Sequence, residues 1–285
     1  MGGNGPGPVA VLLAASVAWG LSWLPLKHLG AMGVSGVPLV LVACGAGALA
    51  MLPFLRSGAT RGEGRYLAGI ALFGGYANLA FATAMLYGEV ARVMVLFYLL
   101  PVWGVLGGRV FLGEPIDRVR WTALGLAVTG AFLVLGGPEV LRGAVSWPDV
   151  LAVTCGIAFS LNNIIFRARQ GIPVANKVAA MFVGCAVIAG SLVGLGAQPW
   201  PGIDATTWGW VAAFGVGWLL LASLGTQWGV THMEAGRASI LIILELVTAV
   251  VSATLIGGET MSPGEWTGGA LILAAAVIEA RRSVD

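Results

Sequence analysis

Glu245 sits in the run Leu241-Ile-Ile-Leu-Glu-Leu-Val247, about ten residues from either end of an apolar segment, 235–256. An acid at that depth in hydrocarbon costs on the order of 2.5–3.5 kcal/mol, so a partner has to offset it. It can bind an amine or carry a proton; equally, it can stay protonated and hydrogen-bond a neighbouring helix. Asn162 and Asn163, with Ser160 close by, interrupt another apolar segment, 148–168. Adjacent residues point about 100° apart on a helix, so at most one amide faces a cavity squarely. Asn163 shares a face with Phe159, four residues back, and Trp19 and Trp23 repeat that spacing near the start of the chain. Indole faces suit an aromatic ring or a cation, and an amide can hold a carboxylate or an ammonium. Ordinary ring packing and interhelical amide bonds account for the same residues. Tyr76, Asn78, Tyr98, Trp103 and Gln227 are further polar or aromatic candidates for a binding site inside apolar runs. Pro101 removes a backbone N–H, frees a carbonyl near Phe97 and kinks its helix, as a hinge or as a fixed bend.

The elements that carry these residues are apolar segments of about 18–22 residues, long enough to cross a hydrocarbon core of ~30 Å. Ten can be drawn: 8–26, 36–55, 66–87, 90–111, 119–137, 148–168, 174–196, 207–228, 235–256 and 264–281. Each must be helical, because lipid satisfies no backbone polar group. Composition agrees: 58% of residues are apolar, and 10% are charged against about 25% in a soluble domain. Mean hydropathy is +0.91. A water-soluble enzyme, a disordered tail and a nucleic-acid binder are excluded, the last also by a net charge of only +2.

The chain repeats. An offset of 145 carries Glu89, Arg92, Gly113, Glu114, Trp121 and Thr122 onto Glu234, Arg237, Gly258, Glu259, Trp266 and Thr267. An offset of 140 carries Trp19, Leu21 and Lys27 onto Phe159, Leu161 and Arg167. The expected units are 1–140 and 141–285, five spans each. Five is odd, so the second unit enters the membrane in the opposite sense, an inverted repeat of the kind found in secondary transporters. Of the 15 Lys and Arg, twelve fall on the side of both termini: Arg56, Arg61, Arg65, Arg109, Arg118, Arg120, Arg167, Arg169, Lys177, Arg237, Arg281 and Arg282. Lys27, Arg92 and Arg142 fall on the other, which puts both termini in the cytoplasm.

Other features carry less. Cys44, Cys155 and Cys185 read as small hydrophobes, and His28 and His232 have no partner at ligand spacing, so neither a metal nor a cofactor is expected. No Gly-Lys-Ser/Thr phosphate loop supports ATP-driven pumping. The apolar start reads as a retained first span rather than a cleaved leader. Glu89/Arg92 and Glu234/Arg237, three apart at helix starts, read as capping pairs on one helix face or as gate salt bridges. Glu114 and Glu259 read as loop-fixing groups. Gly104/Gly108, Gly190/Gly194, Gly225/Gly229 and Gly264/Gly268 have the spacing of tight helix contacts or of a dimer face, so a monomer or weak homodimer is expected.

Five-span units with Trp19-Gly20 in the first span, Pro101 in the fourth and Gly113-Glu114 closing it, repeated at Gly258-Glu259, resemble the EamA-type drug/metabolite transporter superfamily. The likeness extends most to its ten-helix aromatic amino-acid exporters of bacterial inner membranes. One departure is that Leu246, where many relatives have Pro, follows Glu245. The resemblance implies a central cavity opened alternately to each side. The expectation is therefore an all-α integral membrane protein that exports aromatic and other apolar amino acids across the bacterial inner membrane by alternating access. A multidrug or quaternary-cation exporter is the rival. A membrane-embedded enzyme or a channel would need a catalytic pair or a charged ring that these residues do not offer. The expected partners are a small-molecule substrate, an amino acid or an amphipathic cation, and the lipid bilayer.

Overall fold

The computed structural model describes residues 6–55, 61–258 and 260–281, so Arg56, Glu259 and Arg282 lie outside the described residues. Among the described residues every regular element is helical. In chain order these are α1 Pro6–Gly20, α2 Trp23–Ala31, α3 Gly36–Leu55, α4 Gly64–Tyr87, α5 Val90–Phe97, α6 Leu100–Leu112 and α7 Arg118–Val134. After a 3₁₀ turn at Gly137–Leu141 come α8 Trp147–Ala168, α9 Val174–Gly194, α10 Ala205–Phe214 and α11 Leu220–His232. The last three are α12 Ala235–Ile242, α13 Leu244–Leu255 and α14 Pro263–Arg281. A π-helical turn, Gly215–Leu219, joins α10 to α11 without a break.

Among the described residues, eight helical segments are long and apolar enough to cross a bilayer: α1 with α2, α3, α4, α5 with α6, α8, α9, α10 with α11, and α12 with α13. The other two expected spans are helices as well. However, α7 has 17 residues and opens on Arg118 and Arg120, and α14 carries Glu265, Glu279 and Arg281. The first span runs to Ala31 rather than to residue 26, bending at Leu21–Ser22. Lys27 and His28 do not end it, because the Lys27 ammonium lies over the Trp23 ring at 5.7 Å and its stem follows the helix.

The principal packings run between residues 6–134 and residues 147–281, and they come in matched sets. Helix α4 lies on α8 as α1 lies on α11; α6 meets α8 as α13 meets α1; α5 meets α8 as α12 meets α1. The pairs α3·α9 and α7·α14 match themselves. Without water to drive helices together, close backbone approach has to supply the attraction, and glycine permits it. A Cβ on Gly184 of α9 would strike the backbone of Ala71 in α4, and one on Gly215 would strike the backbone of Ala43 in α3, the matching crossing. Gly130 of α7 and Gly268 of α14 each stand against the other's carbonyl. Of the small-residue pairs in the sequence, Gly225/Gly229 seat α11 on Ala15 and Leu12, and Gly104/Gly108 seat α6 on Ser239 and Ala235. Gly194 faces open space.

Candidate functional site

Three of the membrane segments are interrupted, and two of the interruptions occupy the same position in the repeat. Helix α5 ends at Phe97 and α6 begins at Leu100, with Pro101 in its first turn. Helix α12 ends at Ile242 and α13 begins at Leu244, so Ile243 stands 145 residues after Tyr98. Pro101 explains the first break, since it has no N–H to continue the helix. The second break forms without a proline. There Gly20 at the end of α1 stands against the start of α13: a Cβ on Gly20 would strike the Glu245 carbonyl and the Thr248 side chain. The matching contact is present in the other half, where Ser160 Oγ donates to the Leu100 carbonyl at 3.4 Å. Residues 20 and 160 are repeat partners, as are 245 and 100.

The two breaks meet. The Tyr98 hydroxyl, at the end of α5, donates to Glu245 Oε1 in the first turn of α13 at 2.9 Å. Tyr98 is buried while Glu245 is half-buried, leaving the carboxylate partly accessible. A helix N-terminus favours an acid through its unpaired N–H groups and dipole. One carboxyl oxygen is thus committed to the Tyr98 hydroxyl. Aromatic rings extend from Tyr98: Phe97 lies 5.3 Å from it, 4.8 Å from Phe81 and 6.3 Å from Phe159, between ring centroids. An accessible carboxylate beside such rings can hold an ammonium group carried on a flat apolar body.

The remaining candidates are distributed around this pair. Trp19 Nε1 donates to Thr226 Oγ1 of α11 at 3.1 Å, and Trp23 Nε1 to Ser252 Oγ of α13 at 2.9 Å. Their N–H groups are used between helices, and their ring faces are half-buried. Asn163 does not reach Glu245. It accepts from Asn162 Nδ2 and from Gln227 Nε2, both at 3.2 Å, in a buried triad that ties α8 to α11. Asn162 Oδ1 and Gln227 Oε1 are buried there without a hydrogen-bond partner. Asn78 turns back on its own helix and donates to the Gly74 carbonyl at 2.8 Å. Tyr76 shares a proton with Thr154 Oγ1 at 2.8 Å, on an apolar groove of about 310 Å³ between α4 and α8 lined by Leu72, Phe73, Ile157 and Leu161. Trp103 stands near Gly156, and its indole N–H has no acceptor.

Neither Glu89/Arg92 nor Glu234/Arg237 pairs along its own helix. Arg92 reaches Asp149 of α8 at 3.0 Å, Glu234 is bound by Arg120 of α7, and Arg237 donates to the Ala280 carbonyl at 2.8 Å. Across the bundle the attraction is less screened than on a solvated face, and the desolvation of both partners offsets most of it. Sequence reasoning passed over Thr226, Ser252 and Trp218, whose indole donates to Ser22 Oγ at 2.9 Å. Hydroxyls and an indole at membrane depth have no signature until a partner helix is known. Lys177 is one of the twelve basic residues on the side of both termini. It is fully buried, donating to the carbonyls of Phe166 and Arg169 and to Thr231 Oγ1 at 2.8, 3.2 and 3.1 Å. There it closes the C-terminus of α8, where a cation is favoured by the dipole.

Known proteins resemble this chain along most of its length. An uncharacterized transporter of Archaeoglobus fulgidus is 26% identical over 232 residues, covering 81% of this chain and 82% of its own. A riboflavin transporter of Rhizobium johnstonii is 25% identical over 194 residues, covering 65% of this chain and 59% of its own. One solved crystal structure shares the fold with a TM-score of 0.78, at 20% identity, over 96% of this chain and 99% of that one. The sequence profile of the EamA-like transporter family matches twice, over residues 7–136 and 146–279, and the chain is a multi-pass membrane transporter belonging to that family.

Proposed function

We propose that this transporter exports aromatic and other apolar amino acids across the cytoplasmic membrane by alternating access. The observation that carries the reading is the Tyr98–Glu245 contact, where two repeat-related helix breaks meet beside the Phe81, Phe97 and Phe159 rings. In this reading the units 1–140 and 141–285 are inverted five-span repeats, both termini are cytoplasmic, and the repeats rock about a central substrate. The substrate ammonium sits on the free side of Glu245. Its ring packs on Phe97, Trp19 and Trp23, and the breaks at Tyr98–Leu99 and Ile243, the first held by Pro101, take up the bending. The scarcity of Lys and Arg at this depth disfavours phosphorylated substrates, which need clustered cations.

The test is efflux from proteoliposomes preloaded with labelled phenylalanine or tryptophan, against empty liposomes. Protein-dependent flux competed by other large apolar amino acids is the expected result. Flux of a flat organic cation with none of any amino acid overturns it in favour of drug export, a reading that the lone accessible carboxylate among rings also supports. Labelled riboflavin belongs in the same panel because of the Rhizobium relative. Tyr98→Phe removes one hydrogen bond to Glu245, a contribution of about 1 kcal/mol. The expected effect is a roughly fivefold higher KM with unchanged expression, checked by initial rates over a substrate series.

A further inference from the structure

We infer that the ionic cluster centred on Arg120 is a one-sided gate that holds the transporter closed on the face of residues 113–120. The inference rests on the alternating-access reading above. Arg120 is 1% exposed and binds Glu234 at the start of α12, and its Nε lies 3.5 Å from Glu279 near the end of α14. Six residues earlier, Glu114 accepts the Ala235 and Gly236 N–H groups at 2.8 and 3.2 Å, so it caps α12 from across the bundle. Arg167 of α8 closes the set, 4.0 Å from Glu114. Burial lifts the Glu114 carboxyl above its ordinary pKa even with those two donors present. Each of these contacts joins residues before 140 to residues after 147.

On the opposite face Glu259, the match of Glu114, lies outside the described residues. Among the described residues its cross-bundle ion pair is Arg92 with Asp149, at 3.0 Å, supported by Arg92 donating to the Arg142 carbonyl at 3.0 Å. The repeat explains the difference. The position matching Arg120 is Glu265, which caps its own helix by accepting from the Ser262 N–H at 2.6 Å, and the position matching Glu279 is Val134. That face therefore has neither the hub nor its second acid.

An ionic seal suits a gate better than an apolar one. Desolvation of the buried charges offsets most of their mutual attraction in the closed state, and water takes up the same charges on opening. The two states then lie close in free energy, as a reversible step requires. Removing Arg120 takes away a buried cation that faces Glu234 and Glu279 when closed, whereas water solvates those acids when open, so the population moves toward the open form.

Double electron–electron resonance tests this on the full chain in nanodiscs, with Cys44, Cys155 and Cys185 replaced by Ala. One label pair, Arg118→Cys with Gln170→Cys, spans the proposed gate on exposed positions, and a second, Val90→Cys with Val150→Cys, spans the other face. The unaltered gate is expected to give one short, narrow distance across 118–170. Arg120→Gln is expected to raise the ratio of long to short distances there at least tenfold while the 90–150 pair does not lengthen, and Arg120→Lys to return the short distance. Unaltered 118–170 distances in both Arg120→Gln and Glu279→Gln overturn the gate. So does lengthening of both pairs together, which marks general loosening. Where Arg120→Gln is not monodisperse, Glu279→Gln, which removes one arm, decides alone by the same criterion. Because no substrate is added, a shift in distances without amino-acid flux leaves the gate standing and refutes only the substrate assignment.

Discussion

Glu245→Gln in the reconstituted protein is expected to lower amino-acid efflux by about 10- to 100-fold, the loss that corresponds to one hydrogen bond to a charged group of about 1.5–3 kcal/mol. The amide keeps the shape of the side chain and can still accept from the Tyr98 hydroxyl, so the 2.9 Å contact between the helix breaks survives. What is lost is the negative charge that faces the substrate ammonium. The fall should therefore appear in transport and in substrate-induced thermal stabilisation, with the melting temperature of the empty protein held. Running the same pair of proteins with and without an imposed pH gradient separates two roles. If the gradient drives the unaltered protein and not the variant, Glu245 also carries the coupled proton. Full activity of Glu245→Gln for every substrate tested would remove this residue from the site.

The second large effect concerns stability. Gly184→Val is expected to destabilise the folded protein by about 3 kcal/mol, the upper part of the range for overpacking a core. A Cβ at residue 184 would meet the carbonyl, carbon and Cα of Ala71, and Gly75 one turn away stands against Gly184 itself. A backbone cannot rotate aside as a side chain can, so α4 and α9 must separate along their length. Gly215→Val should act similarly at the matching contact with Ala43. Gly45→Ala is the control. Nothing lies within 4 Å of its added Cβ, and replacing a helical glycine gains about 0.5–1 kcal/mol. Thermal unfolding in detergent monitored by size-exclusion chromatography checks all three. A Gly184→Val protein as stable as Gly45→Ala would mean that α4 and α9 do not pack as described.

The same backbone contacts separate what was legible in the residues from what was not. Gly184, Gly215 and Gly130 lie among 44 glycines with no pattern to distinguish them from Gly45 or Gly194, which face open space. The matching of Tyr98 with Ile243 was implicit in the 145-residue offset, yet the second break could not be read from composition, because Leu246 replaces the expected proline. Beside it Gly20 of α1 stands against α13, a contact between residues 225 apart in sequence. Asn163 illustrates the same limit. Its spacing places it on one helix face with Phe159, whereas its hydrogen bonds from Gln227 and Asn162 could not be read from any spacing.

The sequence by itself determined the apolar helical segments and the family. Lipid allows a spanning segment to be little other than a helix, so a run of apolar residues fixes local structure without knowledge of its neighbours. Only the tertiary structure decided who partners whom: Tyr98 for Glu245, Arg120 for Glu234 and Glu279, Asp149 for Arg92. In a uniformly apolar bundle many helix faces look alike to a neighbour. The choice among them falls to close backbone approach and a few buried polar pairs, which exist only once distant segments have met.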